Sequence, residues 1–215
     1  VRQQLGLMYA EQLRHVDARD ILFPVVDRLR KGDKFRARLV RSPLFDTGRL
    51  ESDFEYEDAM SMLETAPTDP QAEIRTTVWE KLQNAYRLNS DNIDIVIKMH
   101  RIVLPKEYER KEQVRELIAE KNRVYEKLIA AEERNLNIGS RADSKRALRS
   151  HYNQYAWLVS NTEGDFELAL QRSKKSLESL GRDDDTLRAM YADTCARCYF
   201  ALGQVDEAVE MQAKA

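Results

Sequence analysis

A spacing that returns along the chain constrains the fold most. Near the start, Leu5-Gly6-x-x-Tyr9 is followed by Ala18 nine residues after the tyrosine and by Val25 sixteen after it. Trp79-x-x-Leu82-x-x-x-Tyr86 is followed by Ile95 and Ile102 at the same two offsets. Cys195-Ala196-x-x-Tyr199 leads to Ala208 and Ala215, again at nine and sixteen, with Gly203 and Asp206-Glu207 marking a turn and a helix start between them. In a fourth copy, Tyr152-x-x-Tyr155-Ala156-x-x-Val159 leads to Ala169 and Ser176 at ten and seventeen, as if its turn, Asn161 to Asp165, carries one extra residue. Helical residues advance about 100° each, so the residues one and four places after Leu5 or Leu82 fall on one stripe with it. Alanine at a crossing lets a second helix approach within roughly 8–10 Å. A hairpin of this kind buries only part of its apolar surface alone, so neighbours must stack.

These residues resemble the tetratricopeptide repeat (TPR), whose signature is a helix bearing W-x2-L-G-x2-Y and a second helix bearing a small alanine. The resemblance implies an all-α fold, an α-α superhelix or TPR-like solenoid of stacked antiparallel helix hairpins. It takes 1–215 as a single domain, with clear copies near 1–30, 73–104, 145–180 and 186–215, and degenerate or irregular helices at 31–67 and 106–138. Gln83 stands in the small-residue place, Ile95 in the alanine place, and Ser176 is polar. The spacing between copies exceeds the family's 34 residues.

Between the copies the pattern remains helical. Seven glycines and five prolines are about half of average usage, which argues against a turn-rich β-sandwich. Residues 33–41 predict a short helix, broken by Ser42-Pro43 and a loop through Gly48. Phe54 to Ala66 predicts an amphipathic helix, stopped by Pro67-Thr68-Asp69-Pro70. Lys106 to Leu136 lacks Gly and Pro and predicts one long helix or two joined by a slight kink, ended by Asn137-Ile138-Gly139-Ser140. Asp143 or Ser144 starts the next helix, and Pro24 is expected to kink the second helix of the first copy. The last copy runs out within its second helix, and solenoids need polar caps. The chain therefore reads as a piece of a longer array, or as one that associates end to end with a second copy.

Charge and motifs exclude several functions. Thirty-five basic and thirty-seven acidic residues leave a net charge of -2, so no global field points to nucleic acid. The longest apolar run, Ile21 to Val26, has six residues, far short of the roughly 20 of a membrane-spanning helix. No basic start followed by an apolar signal core is present, which leaves the compartment open and favours the cytoplasm. Cys195-Ala-Arg-Cys198 has redox or half-zinc spacing, yet Cys195 takes a seam place where a small buried hydrophobe belongs. A structural zinc site needs four ligands, and no second such pair exists. His15, His100 and His151 lie in different copies, and there is no glycine-rich phosphate loop, H-E-x-x-H or G-x-S-x-G. The sequence therefore points to no enzyme, no catalytic residue, no cofactor and no metal.

The resemblance implies that the first helices of the copies line a concave groove that holds a peptide or partner helix. Residues two before, two after and five after the seam position turn away from the core. They are Gln3, Leu7 and Ala10; Glu80, Asn84 and Arg87; Asn153, Trp157 and Ser160; and Asp193, Arg197 and Phe200. Asn84 and Asn153 offer amides to a peptide backbone, and Trp157 and Phe200 offer aromatic anchors. Gln3, Glu80 and Asp193 stand where cations would clamp a terminal carboxylate, which favours an internal segment or a helix. The expected function is a non-catalytic scaffold for a protein or peptide partner. The alternative is RNA binding through the basic stretches 28–41, with Arg36 and Arg38, and 141–149, with Arg141, Lys145, Arg146 and Arg149.

Overall fold

The computed structural model describes residues 8–10, 12–31, 46–66, 72–138, 142–181 and 185–215. Among them the protein is all-helical, without strands. Its helices are α1 (His15–Lys31), α2 (Thr47–Thr65), α3 (Ala72–Leu88), α4 (Ile93–Ile102), α5 (Tyr108–Ile138), α6 (Ala142–Asn161), α7 (Phe166–Glu178), α8 (Asp185–Ala201) and α9 (Val205–Gln212). Leu5, Gly6, the helix expected over 33–41 and the stop at Pro67 to Pro70 lie outside the described residues. The chain, taken above as one domain, divides into two compact units, Val1–Ile102 and Val103–Ala215.

Within each unit, helices pack against their neighbours in sequence order. In the first, α2 lies against both α1 and α3, and α3 against α4. In the second, α5 packs on α6, α6 on α7, α7 on α8 and α8 on α9, while α6 also reaches α8. Many of the seam residues occupy the core, while Val25 and Ile102 are half-buried. Trp79, Leu82 and Ile95 are buried in the first unit; Tyr155, Ala156, Val159, Ala169, Cys195 and Ala208 are buried in the second. Ser176, polar at a seam place, is fully buried, and its Oγ donates to the Ser173 carbonyl at 2.7 Å. Tyr86 and Tyr199 are half-buried, and Ala215 is exposed.

Local signals set the helix ends. The α6–α7 turn falls between Asn161 and Phe166, where Asp165 Oδ1 accepts from the Leu168 amide at 2.9 Å. Gly164 there has φ +143°, and an added Cβ would lie 3.2 Å from Val159 Cγ1. Gly203, with φ +75°, turns the chain between α8 and α9. α5 is one unbroken helix of 31 residues. α1 continues through Pro24, whose missing N–H leaves the Asp20 carbonyl without its helical donor.

Three local expectations are corrected. Gly48 lies in the first turn of α2 and not in a loop, because Asp46 caps the helix and accepts from the Arg49 amide at 3.0 Å. Gln83 is exposed. The small buried residue of α3 is Ala85, whose carbonyl accepts from the fully buried Ser52 Oγ of α2 at 2.8 Å. α2 is also not amphipathic: flanked by α1 and α3, it buries Leu50, Phe54, Ala59 and Met60 together with Ser52, Ser61, Glu55 and Glu57.

The carboxylates of α2 are matched by its neighbours. Arg30 of α1 donates to Glu55 at 2.6 Å, and Lys81 of α3 lies 2.7 Å from Asp58 and 3.5 Å from Glu55. His15 Nδ1 stands 2.8 Å from Glu57 Oε2. Burial raises Glu57, against the opposing hydrogen bond from His15. Burial also pushes Asp53 up to about 6, against Arg49, with Glu57 and Asp46 adding to the rise.

A carboxyl whose folded pKa lies above its unfolded value favours the folded state at low pH and loses that advantage as pH rises. For Asp53 the loss falls between the unfolded value of 3.8 and about 6. Asp53→Asn is therefore expected to raise stability at pH 7.5 by on the order of 1–3 kcal/mol, with most of the gain gone at pH 4. Thermal unfolding of both proteins at the two pH values checks this; an equal gain at both would remove titration as the cause.

Candidate functional site

α6 and α8 pack side by side, and the side chains between them decide which of the expected binding residues remain accessible. Trp157, Asp193 and Arg197 are half-buried, while Phe200 is 55% exposed. Arg197 of α8 reaches across to α6, its Nε donating to Asn161 Oδ1 at 3.1 Å. Asn161 Nδ2 in turn donates to the Trp157 carbonyl at 2.9 Å. Both polar ends of the Asn161 amide are thus used, which fixes its orientation and that of the guanidinium. The Arg197 guanidinium carbon lies 5.1 Å from the Phe200 ring centre, within cation–π range. The result is an exposed aromatic ring held beside a positioned cation.

Two residues expected on this face do not present themselves to solvent. Asn153 and Ser160 are 6% and 4% exposed, because α6 is covered by α5, α7 and α8 together. The Asn153 amide oxygen is buried and receives no hydrogen bond among the described residues. Ser160 Oγ turns to the Trp157 carbonyl at 3.4 Å. In the first unit, Glu80 and Arg87 are exposed on α3 and Asn84 is half-buried. Arg87 Nη2 donates to Asn84 Oδ1 at 2.7 Å, so that amide oxygen is already engaged. Of the earlier candidates, Gln3 and Leu7 lie outside the described residues, and Ala10 is half-buried.

Asn161, which holds Arg197 in place, was not singled out by the spacing. A polar residue in the last turn of a helix gives no signal that a partner helix will supply its donor.

The basic stretches separate. In the first, Arg30 is paired with Glu55 and Lys31 lies 2.8 Å from Asp27; residues 32–41 are outside the described part. In the second, Lys145, Arg146 and Arg149 come together around a pocket near the start of α6.

Cys195 and Cys198 are free, fully buried thiols. Cys198 Sγ lies 3.8 Å from the Ala156 carbonyl oxygen. Burial pushes Cys198 up to about 12, against the opposing hydroxyls of Ser160 and Ser173, and raises Cys195 as well. Neither environment favours a thiolate. Among the described residues, no group of three or more His, Cys, Asp or Glu is placed to hold a metal ion, and no helix is long and apolar enough to cross a membrane.

Compared with known proteins, the chain matches no family model, no curated sequence and no solved structure.

Both thiols are expected to resist iodoacetamide in the native protein at pH 8 and to react fully after unfolding in urea. Mass spectrometry of timed aliquots reads this, and rapid native labelling of Cys198 would contradict the packed environment.

Proposed function

We propose that the chain is a non-catalytic, tetratricopeptide-like helical-repeat scaffold that holds a peptide segment or partner helix against α6 and α8. The observation that carries this reading is the Arg197–Phe200 pair, braced from α6 by Asn161. Aromatic and arginine side chains supply a disproportionate share of interface energy, most of all where their rotamers are already fixed. Trp157, half-buried beside Asn161, extends the same surface toward the middle of α6. Asn153 and Ser160 drop out of the binding set because they are buried. Recurrence of the seam pattern, and the burial of its residues in both units, support the family resemblance on physical grounds.

The alternative of an RNA-binding array retains one supporting observation, the convergence of Lys145, Arg146 and Arg149 on one pocket. Nucleic-acid binding draws on many phosphate contacts spread along a groove. Arg30 and Lys31 of the other basic stretch are already paired with Glu55 and Asp27, which favours the protein partner.

Peptides selected by phage display against the full chain provide the test. Arg197→Ala and Phe200→Ala are each expected to weaken binding about tenfold while leaving helical circular dichroism unchanged. Selected peptides that bind both variants as tightly as the parent would remove this face from the function.

A further inference from the structure

The short helix α9 turns outward what a helix of its composition ordinarily buries. Val205 and Val209 stand one turn apart and are 53% and 65% exposed. Ala208 is the one buried residue of α9, which packs on α8, and Met211 is turned to the core of the unit. Valine loses side-chain freedom in a helix and ranks below Leu, Lys or Gln as a helix former. Neither the folding of α9 nor solvation therefore accounts for a β-branched pair on its outer side. Phe200, at the end of α8, already belongs to the face described above; the two valines do not. The chain is described without a break from 185 to 215, so both helices of this hairpin are complete.

Carboxylates run beside the valines. Asp206 and Glu210 each follow a valine by one residue, so they form a second column about 100° around the helix, again one turn apart. Asp206 and Glu207 lie in the first turn, where the helix dipole favours an acid. Glu210 lies in the last turn, where the dipole opposes it. Among the described residues no ion pair reaches Asp206, Glu207 or Glu210, and Lys214, four residues beyond Glu210, makes none with it. All three carboxylates are exposed.

We propose that α9 docks a basic amphipathic helix of another protein, its apolar side on Val205 and Val209 and its lysines or arginines against Asp206 and Glu210. An apolar column bordered by an acidic one is complementary to a helix whose apolar stripe is bordered by cations. The partner neutralises Glu210 where the dipole leaves it unfavourable, and covers the two valines in the same contact. A second copy meeting this face with its own α9 brings no cation, since that helix carries none. Anionic lipid is repelled by the same carboxylates. The site is separate from the Asn161 brace on Arg197 and does not depend on it.

Fluorescence anisotropy with the full chain tests the assignment, using a labelled amphipathic model helix of leucine and lysine, its leucine and glutamate counterpart, and a scrambled leucine and lysine peptide of the same composition. The leucine and lysine helix is expected to bind about tenfold tighter than either of the others. V205S/V209S should lose about tenfold of that affinity with helical circular dichroism intact. D206K/E210K should transfer the preference to the glutamate helix, which keeps the assignment testable if the serine variant fails to fold. Equal binding of the scrambled peptide, or an affinity unchanged in V205S/V209S, would overturn the proposal. So would a loss in R197A that V205S/V209S does not share, which would put the peptide on the α6–α8 face. A dimer of the chain in sedimentation that V205S/V209S dissolves would overturn it as well, by giving the face to a second copy.

Discussion

Helices in both units approach one another through fully buried side chains no larger than alanine, serine or cysteine. Ala18 on α1, Ser52 and Ala59 on α2, Ala85 on α3, Ala156 on α6, Ala169 and Ser173 on α7, and Cys195 and Cys198 on α8 are all 0% exposed. At such positions the backbones come close enough for side-chain-to-backbone contacts across helices, as where Ser52 Oγ meets the Ala85 carbonyl and Cys198 meets Ala156. The larger neighbours, Leu22, Leu82, Ile95 and Leu158, then fill the space on either side. Enlarging a small side chain separates the axes and leaves those neighbours with voids, which is why overpacking and underpacking are both costly here. It also explains the cysteines: at a crossing they serve as compact apolar groups, and their burial keeps them from acting as nucleophiles.

Much of this was legible because seam residues obey the helical period. Leu82, Ile95, Tyr155, Ala169, Cys195 and Ala208 were marked by offset alone and are buried, as were the turns at Asn161 to Asp165 and at Gly203. What escaped depends on contacts that periodicity does not encode. A spacing rule assigns each helix one buried stripe, whereas α2 and α6 are enclosed by more than one neighbour. Ser52, between α1 and α3, and Asn153 and Ser160, on a helix covered by α5, α7 and α8, are therefore buried. Ala85 replaced Gln83 at the crossing for a similar reason: which small residue is used depends on the angle at which α2 arrives.

Charge followed a different logic from the one its distribution along the chain implies. Glu51, Asp53, Glu55, Glu57 and Asp58 look like a solvated run, yet Glu55 and Glu57 are buried and face cations or His15 from α1 and α3. These pairs fix which residues of three helices stand opposite one another, since a shift by one turn would strand a buried carboxylate. On the same helix, burial outweighs the opposing pull of Arg49 on Asp53, and its pKa is raised. One segment thus carries both the pairs that register the hairpins and a carboxyl with a raised pKa.

Enclosure also determines which side chains of the second unit reach solvent. Between Tyr152 and Asn161, α6 is buried at Tyr152, Asn153, Tyr155, Ala156, Leu158, Val159, Ser160 and Asn161, so its middle cannot offer a row of polar side chains to a ligand. Side chains that do reach solvent include Phe200 on α8, beside the half-buried Arg197, and Lys145 and Arg146 in the first turns of α6. Arg197 is held by Asn161 and by the Phe200 ring, so little rotamer freedom remains in that pair. The packing that removes Asn153 and Ser160 from the surface also braces Arg197 through Asn161, so burial in one turn fixes a cation beside the next.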